Sequence, residues 1–168
     1  VPSWDSQYYS LMMCQNIEYQ EYIKSKWSLV VIGTIISTFL ACFIYSFLGT
    51  DAVFAVLAGG LYNIGINGYL TLWAGAYTKT PVDLDSSKMA FGGTKAINMK
   101  TILISLPQMA LPLLLFWIGY NYYSIFIGCL IVGLTGVIGI LLKDLVFKLI
   151  IRAYKSEKYS TLKAYKQT

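Results

Sequence analysis

The sequence predicts an all-α, polytopic membrane protein with four transmembrane helices, an N-terminal interfacial amphipathic helix and both termini in the cytoplasm. Three observations predict it. Of the 168 residues, 57% are hydrophobic and only 12% charged, where a soluble globular domain carries roughly 25% charged residues. Four windows, residues 28–48, 52–77, 101–118 and 124–142, hold no charged residue. All 13 Lys and Arg lie before the first window, between the second and third, or after the fourth.

The windows are long enough to span a bilayer. As helices rising about 1.5 Å per residue they reach from about 27 to about 39 Å, against a hydrocarbon core about 30 Å thick, so the second must tilt, break or protrude. They lack the polar-apolar alternation of barrel strands. A backbone in lipid has to satisfy its own hydrogen bonds, which leaves helices. The two connections without a cation, 49–51 and 119–123, then face outward, and the positive-inside rule places both termini and the 78–100 loop in the cytoplasm. The net charge of +5 reads as attraction to anionic headgroups, and no nucleic-acid partner is expected. Because the chain begins at Val1, it is expected to be part of a longer protein. The first window starts too late and runs too long for a signal peptide.

Taken in order, residues 1–27 carry Tyr8, Leu11, Met12, Tyr19, Tyr22 and Ile23 at helical spacing, with Asp5 or Ser6 as a cap. An aromatic-rich amphipathic helix of this kind lies at the interface or forms a docking surface for a cytoplasmic partner. In the second window every fourth residue is small or polar: Ala55, Gly59, Asn63, Asn67, Thr71, Gly75. Such a stripe avoids lipid, either as a helix-packing face or as a polar path or hinge, and its glycines predict a break at mid-membrane. The third window holds Pro107, Gln108 and Pro112, which predict a kink near residues 105–108 and a polar partner for Gln108 at Asn63 or Asn67. In the fourth, Gly128, Gly133, Gly136 and Gly139 form a smooth face for another helix, and homo-oligomers are among the assemblies such faces allow. After it the helix is expected to run on past the membrane with a basic face, and residues 156–168 to form a basic cytoplasmic tail that frays.

Catalysis is not expected. With no His in the chain, a Ser-His-Asp triad, a Cys-His dyad and a His zinc site are excluded. Asp83 and Asp85 in the central loop would need further ligands to hold a metal, and Gly92-Gly93-Thr94-Lys95 lacks the spacing of a phosphate-binding loop. No metal and no cofactor is predicted. The three cysteines, Cys14 on the cytoplasmic side and Cys42 and Cys129 within windows, show no CxxC spacing, form no disulfide framework and read as buried apolar thiols.

The order of features resembles the C-terminal half of type-two ABC exporter permeases: a polar helix ending at Lys26, then spans running out, in, out and in. Asp5 through Met13, Ile17-Glu18-Tyr19 and Tyr22-Ile23 correspond to the coupling helix ahead of the third permease span. Trp4-Asp5-Ser6, the segment from Glu21 to Lys26 and the segment from Tyr62 to Asn67 are also similar to an uncharacterised family of bacterial multi-spanning proteins that is itself permease-like. The resemblance covers nearly the whole chain and implies an inner-membrane location, an unknown substrate and a separate ABC ATPase docking on residues such as Met12, Asn16, Glu18 and Glu21. It further implies a transport path or hinge at Asn63, Asn67, Thr71, Pro107 and Gln108. The competing expectations are a non-catalytic integral membrane scaffold or assembly subunit and, more remotely, a membrane enzyme using Asp83 and Asp85.

Overall fold

The computed structural model describes residues 5, 9–15, 17–78 and 99–166. Its regular elements there are all helices: α1 Tyr9–Cys14, α2 Tyr19–Tyr45, α3 Thr50–Tyr62, α4 Gly68–Tyr77, α5 Met99–Tyr122, α6 Ile125–Leu141 and α7 Lys143–Lys166. A short 3-10 turn, Ser46–Leu48, follows α2, and a π turn, Asn63–Asn67, joins α3 to α4. Two segments, Tyr19–Leu48 and Thr50–Tyr77, are long and apolar enough to cross a membrane, and α6 with α7 qualifies as a third if a 68° bend between them is allowed.

The two short connections without a cation are built tightly. Gly49, with φ of 121°, reverses the chain between the 3-10 turn and α3, a backbone region that favours glycine. Ser124 starts α6 from an extended conformation and its side chain accepts a hydrogen bond from the Ile127 amide, an ordinary N-cap. Both turns lie at one end of the bundle, where the rings of Phe54 and Phe126 meet edge to face at 5.3 Å.

The centre of the bundle is the contact of α6 with α3, the π turn and α5. Here backbones touch. A Cβ on Gly136 would lie 2.5 Å from the Leu61 carbonyl oxygen, one on Gly119 2.5 Å from the Cα of Gly128, and one on Gly65 would run into the Gly136 carbonyl. Ala58, Tyr62, Cys129 and Val132 close a small buried cluster beside this seam. In contrast, no residue in the apolar window of α2 is buried, and Phe39 is 75% exposed. An apolar surface of that extent belongs against lipid or another helix.

A second core lies at the opposite end, where α2, α4 and α7 meet. Ile23, Tyr69, Leu72, Phe147, Ile150 and Tyr154 are buried together. Trp27 stacks on Tyr69 with centroids 6.1 Å apart and meets Phe147 edge-on at 5.9 Å. The Lys143 ammonium sits 4.0 Å from the Trp27 ring, a cation–π contact of about 0.5–2 kcal/mol. The Tyr154 hydroxyl donates to the Leu72 carbonyl at 3.0 Å.

Several expectations need correction. The N-terminal amphipathic stretch is not one helix: α1 stops at Cys14, and α2 begins at Tyr19 and runs without interruption into the apolar segment. Asp5 does not cap a helix, because its carboxylate is taken by Tyr22, whose hydroxyl donates at 2.7 Å, and by Lys26 at 2.8 Å. The glycines of the second span do not break it; the helix passes through on a π turn. The helix α5 contains Pro107 and Pro112 within one continuous element. The last helix does not extend straight beyond α6 but bends by 68° at Leu142, where Lys143 is held by Trp27. Nor does the chain fray from Ser156: α7 continues to Lys166 and Thr161 is buried. Asp83, Asp85 and the Gly92-Gly93-Thr94-Lys95 run fall outside the described residues.

Two measurements check this account. Gly136→Val forces a side chain into the Leu61 backbone and should lower the thermal midpoint in detergent by the equivalent of about 1–3 kcal/mol, while Gly33→Ala, with nothing within 4 Å, should leave it unchanged or raise it. Burial raises the Asp5 carboxyl, but hydrogen bonds from Lys26 and Tyr22 and the Lys26 charge outweigh this and hold it below its usual 3.8. A depressed carboxylate stabilises the fold fully above its unfolded value and loses that contribution as pH falls through the folded one. Protection of the N-terminal segment from protease should therefore weaken below about pH 3.8, and Asp5→Asn should remove that part of the acid response.

Candidate functional site

The polar residues of the second span gather at the π turn. The Gly68 amide donates to the Asn63 carbonyl five residues back, which widens the helix by one residue, a feature found mostly at functional positions. Glycines make it possible: Gly65 is pressed against the Gly136 carbonyl, and Gly139 faces the Gly65 carbonyl. The extra residue advances everything after it by about 100° around the axis, so a stripe drawn every fourth residue on an ideal helix does not carry straight through.

A short hydrogen-bonded chain runs along the turn. The Asn67 side-chain amide donates to Asn63 Oδ1 at 2.9 Å, the Thr71 hydroxyl donates to the Asn67 carbonyl at 2.8 Å, and Gln108 Nε2 donates to Thr71 Oγ1 at 3.3 Å. The structure thus brings together four of the five residues expected to line a path or hinge. Gln108 pairs with Thr71, one turn beyond Asn67, and not with either asparagine. Pro107, exposed beside Gln108, adds no polar group. Because Pro112 has no amide hydrogen, the Gln108 carbonyl lacks the usual donor four residues on. Three buried polar atoms on this helix, Tyr62 Oη, Asn67 Oδ1 and Tyr69 Oη, have no hydrogen-bond partner among the described residues.

A groove of about 470 Å³ opens between α2 and α3 and ends at Asn63; Gly33, Thr34, Ser37, Thr38 and Gly60 line it. Sequence reading passed over its α2 wall. The signal was present, as Gly33, Thr34, Ser37, Thr38 and Ala41 recur at helical spacing within an otherwise aliphatic window. Thr34 is partly spent, since its hydroxyl donates to the Val30 carbonyl at 2.8 Å. A Cβ on Gly60 would lie 2.5 Å from Thr38 Oγ1, so α2 and α3 close on each other there.

The residues expected to dock an ATPase sit at the other end. Glu18 precedes α2 in extended backbone, Glu21 lies in its first turn, and both side chains are exposed. Met12 lies on α1, and Asn16 falls outside the described residues. Because the helix is interrupted between Cys14 and Tyr19, these residues do not form one continuous ridge.

The Gln108–Thr71 link is the only side-chain hydrogen bond between α4 and α5 among the described residues. A double-mutant cycle with Gln108→Leu and Thr71→Val, read by thermal unfolding in detergent, should give a coupling of about 0.6 kcal/mol and no more than about 2.

No curated protein and no solved structure matches the chain. A family model, described as a family of unknown function (DUF5687), matches residues 1–168, the whole of the sequence above. The chain belongs to this family.

Proposed function

We propose that the chain is the permease-like transmembrane portion of an ABC-type exporter of the bacterial cytoplasmic membrane, energised by a separate ATPase and moving a substrate of amphiphilic character. The observation that carries the reading is the π turn with its linked Asn63, Asn67, Thr71 and Gln108. Intramembrane polar groups are costly and tend to mark pathways, and a π turn supplies a place where a helix can change pitch without losing its ladder. No Asp, Glu, Lys or Arg occurs in the four apolar windows. Energy would then have to come from outside the bilayer.

In this reading α2, the α3–α4 helix, α5 and α6 are four spans. Its support is the clustering of ends: Phe54 meets Phe126 where the two connections without cations turn, and Lys143 meets Trp27 next to Lys26 at the other end. Lys26 and Lys143 lying at one end supports reading that end as the cytoplasmic side under the positive-inside rule. The exposed carboxylates of Glu18 and Glu21 would receive the ATPase.

The second reading, a membrane scaffold, is favoured by a different observation. Gly65, Gly136 and Gly139 are fully used in packing, as a purely structural small-residue face would be.

Purification of the full-length protein from native membranes separates the two. An ABC ATPase should copurify, and Glu18→Lys with Glu21→Lys should release it while the helical circular dichroism is unchanged; recovery of structural partners alone would favour the scaffold. Topology is checked on a cysteine-free background, where an impermeant thiol reagent on whole cells should label Tyr123→Cys and leave Ser86→Cys untouched until the membrane is opened.

A further inference from the structure

The bend between α6 and α7 creates a groove that the permease reading does not use. It lies between α4 and α6 and is closed at one end by α7, with a volume of about 460 Å³, within the range of small-molecule sites. Ile66, Leu70 and Trp73 form one wall, Thr135 and Ile138 the other, and Leu149 the end. The Thr135 hydroxyl is bonded to the Val132 carbonyl at 2.7 Å, so the lining is apolar apart from Tyr69, a residue 5% exposed whose hydroxyl has no hydrogen-bond partner among the described residues.

Charge tells what the groove is suited to. On α7, Lys148, Arg152 and Lys155 are exposed and lie on the helix face next to the one that carries Leu149. Leu149, 62% exposed, ends the groove, and exposed Leu145 lies between it and the basic face on the helix. An apolar slot whose end, at Leu149, borders the basic face of the same helix has the layout of one acyl chain and its phosphate. We propose that the elbow holds one anionic glycerophospholipid of the bilayer, with an acyl chain in the groove between α4 and α6 and its phosphate against Lys148 and Arg152. Basic pockets between helices on the cytoplasmic side recognise such headgroups, each cation contributing about fivefold in affinity. This inference requires only that the helices be in a membrane and is independent of any ATPase.

The test is native mass spectrometry of the full-length protein in detergent with equal amounts of phosphatidylglycerol and phosphatidylcholine. One phosphatidylglycerol should be retained preferentially. Lys148→Gln with Arg152→Gln should reduce the preference by at least about fivefold while a lipid still binds; Leu70→Trp and, independently, Thr135→Phe should remove the bound lipid of either kind. Millimolar inorganic phosphate should not displace it, because the acyl chain supplies the hold. Equal retention of the two lipids, displacement by phosphate, or unaltered binding in both groove-filling variants with intact thermal midpoints would overturn the proposal. An ATPase that failed to copurify would leave this result untouched.

Discussion

Gly65 lies beneath the carbonyl of Gly136, and Gly139 beneath the carbonyl of Gly65. Between apolar helices there is little hydrophobic gain from association in a lipid medium, and close backbone approach supplies the van der Waals contact that replaces it. Any side chain at these positions pushes α6 away from the second span. The rest of the bundle follows from this contact: α5 reaches α6 through Gly119 and Gly128, and the π turn is held at the place where Asn67 can reach Asn63.

The second organising contact is aromatic. Trp27, Tyr69 and Phe147 come from three helices far apart in sequence, and Lys143 places its charge over the first of them. A lysine at the end of an apolar helix normally reaches outward to water or headgroups. Here its stem turns inward onto Trp27, and the helix that it begins is steered across the bundle. The bend, the buried Tyr154 bonded to Leu72 and the elbow groove accompany that placement.

The two ends therefore differ in kind. One is closed by short turns and a Phe54–Phe126 contact; the other is a wider layer in which α1, the start of α2 and α7 surround a core of tyrosines and aliphatic side chains. On the second apolar segment Asn63, Asn67 and Thr71 are linked to one another and to Gln108, while the Tyr62 and Tyr69 hydroxyls have no partner among the described residues. The exposed face of α2 from Leu29 onward is dominated by large apolar side chains such as Ile32, Ile36, Phe39 and Phe43, suited to lipid or to the helices of a partner.

Composition and charge placement alone determined the helical class and the apolar segments, because the medium acts on every residue in a window at once. The small and polar stripe containing Asn63, Asn67 and Thr71 was also legible, since four-residue spacing is a local property, whereas of the three cysteines expected to be buried only Cys129 is, Cys14 being exposed and Cys42 half-buried. Helix ends were less so. A charged Lys143 after an apolar run reads the same whether the helix continues or bends, and only the Trp27 ring, more than a hundred positions away, decides between them. For the same reason the pairing of Gln108 with Thr71, the removal of Asp5 from a capping role to an ion pair with Lys26, and the elbow groove came from tertiary structure. Each is a contact between segments whose separation along the chain carries no periodic signal.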